Sequence, residues 1–171
     1  MVSFESNKIN GRFQNIMRTD LISDLTSWIL GLFSGSLLTE ALLLVPYWRS
    51  LKFDAFYELH SVFGPRLFRY FAPLTAAAII LSLVSAGRGF FALTGHDPLA
   101  WTAAGLSILV LSTFFAYFGR ANQAFAERRL SATELEVELA RWHSVHNFRT
   151  LMALLAFAAS ILAAGRPIHP V

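Results

Sequence analysis

Ten residues, Arg141 to Thr150, carry two imidazoles, two guanidinium groups, an indole and an amide, and they lead directly into the apolar run 151 to 164. Ionisable groups at the entry of a membrane-spanning helix are expensive to hold there, so they mark a functional site by default. On an ideal helix, Trp142, His146 and Arg149 fall within about 60° of one another, with Thr150 beside them and His143 and Asn147 further round. The types suit one chemistry in particular. An imidazole such as His146 accepts a proton near neutral pH, the Arg149 guanidinium can hold a developing phenolate or enolate oxygen, and the Trp142 indole can stack on a flat ring. These three form the candidate catalytic set for cofactor-free acid/base work on an apolar, electron-rich molecule drawn from the bilayer.

Other polar residues fall at helix ends on the same side of the membrane. Glu40 lies about five residues inside the end of the first apolar block, roughly 7 to 8 Å below it. It either reaches up to the interface, stays protonated beside a Ser, or pairs with a cation in the bundle interior. His60, Arg66 and Arg69 precede the second block, and Asn122 follows the third. Arg66 and Arg69 read as headgroup anchors or as partners for Glu40. The candidate pocket set is therefore Glu40, His60, Arg66, Asn122, His143, Asn147 and Thr150. A metal bound by Glu40, His60, His143 and His146, or a bis-histidine haem, remains open. However, the Glu-x-x-His signature of di-iron bundles is missing, and no cofactor is expected. The plain alternative is an internal hydrogen-bond plug holding the bundle mouth. A faint echo links the two loops, because His60-Ser61-Val62 with Arg66 matches His143-Ser144-Val145 with Arg149.

These residues need helices to position them, and composition supplies the helices. Of 171 residues, 55% are hydrophobic and 15% charged, and the apolar residues come in blocks long enough to cross roughly 30 Å of hydrocarbon. The expected fold is all-α, a polytopic four-transmembrane-helix bundle with spans at about 25–45, 67–86, 99–118 and 145–164. Residues 1–24 form a polar tail or surface helix, and 165–171 a C-terminal tail. The first block begins only after Lys8, Arg12 and Arg18, which reads as a retained span rather than a cleaved signal. Gly31 and Gly35 within it suggest a face of close helix packing. Pro46 ends the span, and Phe53, Phe56, Tyr57, His60 and Phe63 describe an amphipathic helix in loop one that stops at Gly64-Pro65 and lies against the bundle mouth. Ala86 to Gly89 closes span two, Gly95 to Pro98 is a turn, and Gly165-Arg166-Pro167 ends span four. The charged segment Glu127 to Leu139 reads as a solvated helix with a Ser131/Glu134 capping box.

Cysteine is absent, so disulfides and thiolate chemistry are excluded. The net charge of +3 comes without a Lys/Arg cluster, and nucleic acid is not an expected partner. The expected partners are a lipophilic small molecule and the lipid bilayer, with a homo-oligomer compatible. Nine Lys and Arg lie on the side of loops one and three against five on the other side, which favours placing those loops in the cytoplasm of a cell-membrane protein.

The four-span layout, Gly35-Ser36-Leu37-Leu38 running to Val45-Pro46-Tyr47, Asn122 after span three, and above all Trp142-x-x-x-His146-x-x-Arg149-Thr150 resemble the anthrone oxygenase-like family of small integral membrane proteins. The likeness covers roughly residues 27 to 164. It implies an oxidoreductase that converts an anthrone to an anthraquinone with molecular oxygen and no cofactor, with His146 as base and Trp142 and Arg149 binding and polarising the substrate. The loop-one helix 52 to 69 and the additional His143 depart from the family pattern. The competing expectation, from a different class, is a non-catalytic membrane protein whose polar mouth binds a partner or a lipid.

Overall fold

A computed structural model describes the backbone of residues 2–91 and 97–165 and the side chains of residues 21–88 and 97–165. Its elements are α1 (Val2–Thr39), a π-helical turn (Glu40–Leu44), α2 (Val45–Ser50), α3 (Phe53–Phe91), α4 (Pro98–Thr113), a second π turn (Phe114–Phe118), α5 (Gly119–Ala126) and α6 (Ala132–Ala164). No strand occurs among the described residues. Among the described residues, four stretches are long and apolar enough to cross a membrane: Leu21–Ser50, Phe53–Arg88, Pro98–Ala126 and Ala132–Ala164. The chain is an all-α, multi-pass membrane bundle.

The helices overrun the expected spans. The loop-one helix does not stop at Gly64-Pro65, because α3 continues through both Pro65 and Pro73. A proline removes one helical hydrogen bond and crowds one carbonyl, and in a membrane helix neighbouring groups make good that loss. The helix α3 runs on to Phe91, while its membrane-length apolar stretch ends at Arg88, within the expected 86 to 89. The charged segment after Glu127 is likewise no separate element. Ser131 and Glu134 form the expected capping box, and α6 then runs unbroken from Ala132 to Ala164. At the other helix ends, Asp97 caps α4 by accepting from the Leu99 amide at 2.9 Å, and Gly165 terminates α6. Gly95, His96, Arg166 and Pro167 lie outside the described residues.

Two cores stack along the bundle. The lower one packs Leu30, Phe33 and Leu37 of α1 against Leu74 and Ala78 of α3, Ala103 and Val110 of α4, and Ala153, Ala156 and Ala159 of α6. Alanines on three helices let the backbones approach, which is how membrane helices gain packing without a hydrophobic drive to associate. Buried hydroxyls in this region bond back to their own helix, Ser82 to the Ala78 carbonyl and Ser107 to the Ala103 carbonyl. The upper core is aromatic and holds Trp48, Phe56, Tyr57, Phe118, Phe125 and Trp142 with Leu135 and Leu139. Here the first two turns of α3 seal the mouth, as the amphipathic spacing of Phe53, Phe56, Tyr57 and His60 requires.

Gly31 and Gly35 of α1 differ in what they face. A Cβ on Gly31 would sit 3.0 Å from the Phe157 ring of α6, whereas one on Gly35 would meet nothing within 4 Å. Only Gly31 serves close packing. Gly31→Val should therefore destabilise the bundle by about 1–3 kcal/mol, the usual cost of overpacking, while Gly35→Val should stay within about 1 kcal/mol of the parent. Reversible unfolding in mixed detergent and SDS micelles measures both.

Candidate functional site

Pro46 shapes the α1 side of the site. It cannot donate to the carbonyl four residues back, and its ring would crowd that carbonyl, so the preceding turn widens and the Val45 amide reaches the Glu40 carbonyl. Turns of this kind recur at functional sites. The widened turn begins at Glu40, whose side chain is only 4% exposed. Its partner comes from α6, where Nη2 of Arg149 donates to Oε2 of Glu40 at 3.1 Å. Two opposite charges placed together in this way offset part of each other's desolvation.

Arg149 also fixes its neighbour one turn back. Its Nε donates to Nδ1 of His146 at 3.0 Å, and a guanidinium has no acceptor atom. Nδ1 of His146 is thus the acceptor, so Nε2 carries the hydrogen and donates to the Leu37 carbonyl of α1 at 2.9 Å. Both ring nitrogens are engaged, and His146 is 0% exposed. Trp142 covers the ring face, stacked at 4.9 Å and 14°. The Trp142 indole N–H in turn donates to Oδ1 of Asn122 at 3.1 Å. Phe118, from the second π turn, closes the cluster with its ring 4.2 Å from the Arg149 guanidinium carbon.

A cavity of about 750 Å³ opens beside this cluster, within the range of small-molecule sites. Glu40, His60, Asn122, Trp142 and Arg149 line it, among mostly apolar residues of α1, α3, α4 and α5. His60 stacks on Phe56 at 5.6 Å and meets Phe125 edge-on at 5.5 Å. Gly64 makes room for that ring, since a Cβ there would stand 3.0 Å from it. In the buried pair, Oε1 of Glu40 and Nη1 of Arg149 have no protein hydrogen bond among the described residues, and both side chains face the cavity.

The structure separates the residues that the sequence grouped. His146 is not among the residues that line the cavity, and its two ring nitrogens are engaged by Arg149 and by the Leu37 carbonyl. Trp142 reaches the cavity, but His146 occupies one face of its indole, and Trp48 and Phe118 meet it edge-on at 5.5 and 5.1 Å. Arg66 and Arg69 are exposed and neither pairs with Glu40. The unbroken α3 turns them outward, with Arg66 over Phe63. His143 is drawn to the surface of α2, where its Nδ1 meets Nη1 of Arg49 at 3.2 Å. Asn147 is exposed, and Thr150 is buried with its hydroxyl donating to the His146 carbonyl at 2.8 Å. None of Arg66, His143, Asn147 and Thr150 lines the cavity. The two repeat-like arginines thus have unlike surroundings. Sequence reasoning missed Phe118 and Leu37, whose roles come from a ring position and a backbone carbonyl. Among the described residues no three His, Asp or Glu side chains converge as a metal would need.

No family model, no curated protein and no solved structure matches this chain.

Removing one member of a buried ion pair strands the other, which costs about 3–5 kcal/mol. Arg149→Ala should lower unfolding stability by that amount, and Arg149→Lys should recover less than half of it, because an ammonium cannot span both His146 and Glu40. Chemical or SDS unfolding of the three proteins checks this.

Proposed function

We propose that this protein is a membrane-embedded oxidoreductase of the anthrone oxygenase-like kind, which binds a lipophilic phenolic or anthrone-type compound and oxidises it with molecular oxygen. The observation that carries the proposal is the buried Glu40–Arg149 pair in the wall of an apolar cavity, with one carboxylate oxygen and one guanidinium nitrogen left without protein partners. A carboxylate oxygen there can accept the proton of an acidic C–H or O–H. The adjacent N–H can hold the oxygen on which negative charge develops. Glu40 replaces His146 as the proton acceptor, and His146 holds the guanidinium in place.

For an anthrone the balance is simple. The ring methylene loses two hydrogens and gains one oxygen atom from O2, giving a carbonyl, and the second oxygen atom leaves as water. Deprotonation of that methylene, which lies across the central ring from the existing carbonyl and is conjugated with it through the flanking rings, yields an electron-rich phenolate-type anion that reacts with O2, so the chain's task is to remove one proton and hold the charge that develops on the carbonyl oxygen.

The reading from another class is non-catalytic binding of a lipid or partner, and the fully engaged His146 favours it. Anthrone incubated with the purified protein under air and under argon separates the two. The expected result is an oxygen-dependent rise in quinone absorbance that Glu40→Gln reduces by about 10²–10⁴-fold, the usual contribution of a general base. No acceleration over buffer, or full activity in Glu40→Gln, ends the enzymatic reading as stated.

A further inference from the structure

The cavity is a trough rather than a round pocket. On α3 its wall runs from Phe56 at the mouth to Ile79, while on α1 it runs from Glu40 back to Phe33. Both directions lead away from the polar mouth. From Phe68, which lies between those limits, to Ile79 the helix rises roughly 16 Å, and from Glu40 to Phe33 roughly 10 Å. The polar groups of the lining thus gather in the upper part, and the lower part is apolar apart from Thr75.

Its side is open to the lipid. Phe68 and Phe115, which line the trough from α3 and from the second π turn, are 59% and 73% exposed, and Ala76 is exposed as well. All three lie within stretches long and apolar enough to span the bilayer. A molecule can therefore enter sideways between α3 and α4, without leaving the membrane.

We infer that the compound taken by this site is a single-tailed amphiphile, a flat hydroxylated ring bearing one hydrocarbon chain. Its ring lies at Glu40 and Arg149, its chain fills the trough toward Phe33 and Ile79, and it enters between Phe68 and Phe115. The inference rests on the proposed phenolic head and adds the tail and the route. The chain gains little by leaving lipid for an equally apolar trough. Selection therefore comes from the head, where the carboxylate oxygen and the guanidinium nitrogen meet a hydroxyl that lipid chains lack. The tail sets the depth at which that hydroxyl sits.

Photolabelling tests this without turnover. 4-Dodecylphenol carrying a diazirine at the end of its chain is photolysed with the protein in phosphatidylcholine vesicles under argon, and labelled peptides are mapped by mass spectrometry. Label should concentrate on 72–79 of α3 and 110–115 of α4 and its π turn. By mass action a tenfold excess of unlabelled 4-dodecylphenol should reduce it about tenfold, while dodecane should not. Ala76→Trp, which fills the trough from an exposed position, should abolish the label at 110–115 and leave helix content by circular dichroism unchanged. Label spread over lipid-facing positions such as Trp28 and Leu83, or label that dodecane displaces equally well, overturns the inference. Specific labelling without anthrone oxidation removes the catalytic reading and keeps the tailed ligand. Oxidation without trough labelling does the reverse.

Discussion

A carboxylate and a guanidinium buried inside a membrane bundle have few ways to exist, and the upper half of this structure is arranged around one of them. Glu40 and Arg149 stand 109 residues apart in sequence and 3.1 Å apart in space. Either one alone would be a stranded charge. Their union clamps α1 to α6, and His146 adds a second tie by taking a hydrogen bond from Arg149 and passing one to the Leu37 carbonyl. The result is a short relay, carbonyl to imidazole to guanidinium to carboxylate, in which each polar atom of the ring and two of the three guanidinium nitrogens are committed.

Aromatic rings insulate the relay. Trp142 lies flat on His146, Phe118 lies against the guanidinium, and Trp48 meets the indole edge-on. Packing against rings in this way lowers the local dielectric and strengthens the charge pair. Trp48 and Trp142 also line the upper, polar part of the cavity, so the device that holds the fold shares a wall with the site.

Much of the architecture was legible in the sequence because span length and hydropathy are properties of blocks. Four apolar blocks gave four membrane helices, and the 100° periodicity grouped Trp142, His146 and Arg149 while setting Asn147 apart. Glu40 stood out as a misfit among apolar neighbours. What periodicity could not show was a partner on another helix. The choice of Arg149 over Arg66 and Arg69 depended on α3 running straight through Pro65, which local turn signals argued against. The role of His146 depended on a backbone carbonyl, and every residue type has one. A sequence motif shows that an imidazole is present but not which of its nitrogens is already spoken for.

Of the two π turns, only the first has a local cause in Pro46, and each precedes a residue or ring that the cluster needs. In such a turn an amide reaches back five residues instead of four, so each accommodates one residue more than an α-helix would over the same stretch. The turn at Glu40–Leu44 thereby sets the rotational phase of α2 relative to α1, and the turn at Phe114–Phe118 sets that of α5 relative to α4. Trp48 and Asn122, which lie beyond these turns, owe their inward aim to a count of residues as much as to their own side chains. A one-residue deletion at 41–44 or at 116–118 is in that sense a rotation of everything that follows, and it would redirect one wall of the cavity without removing any residue that lines it.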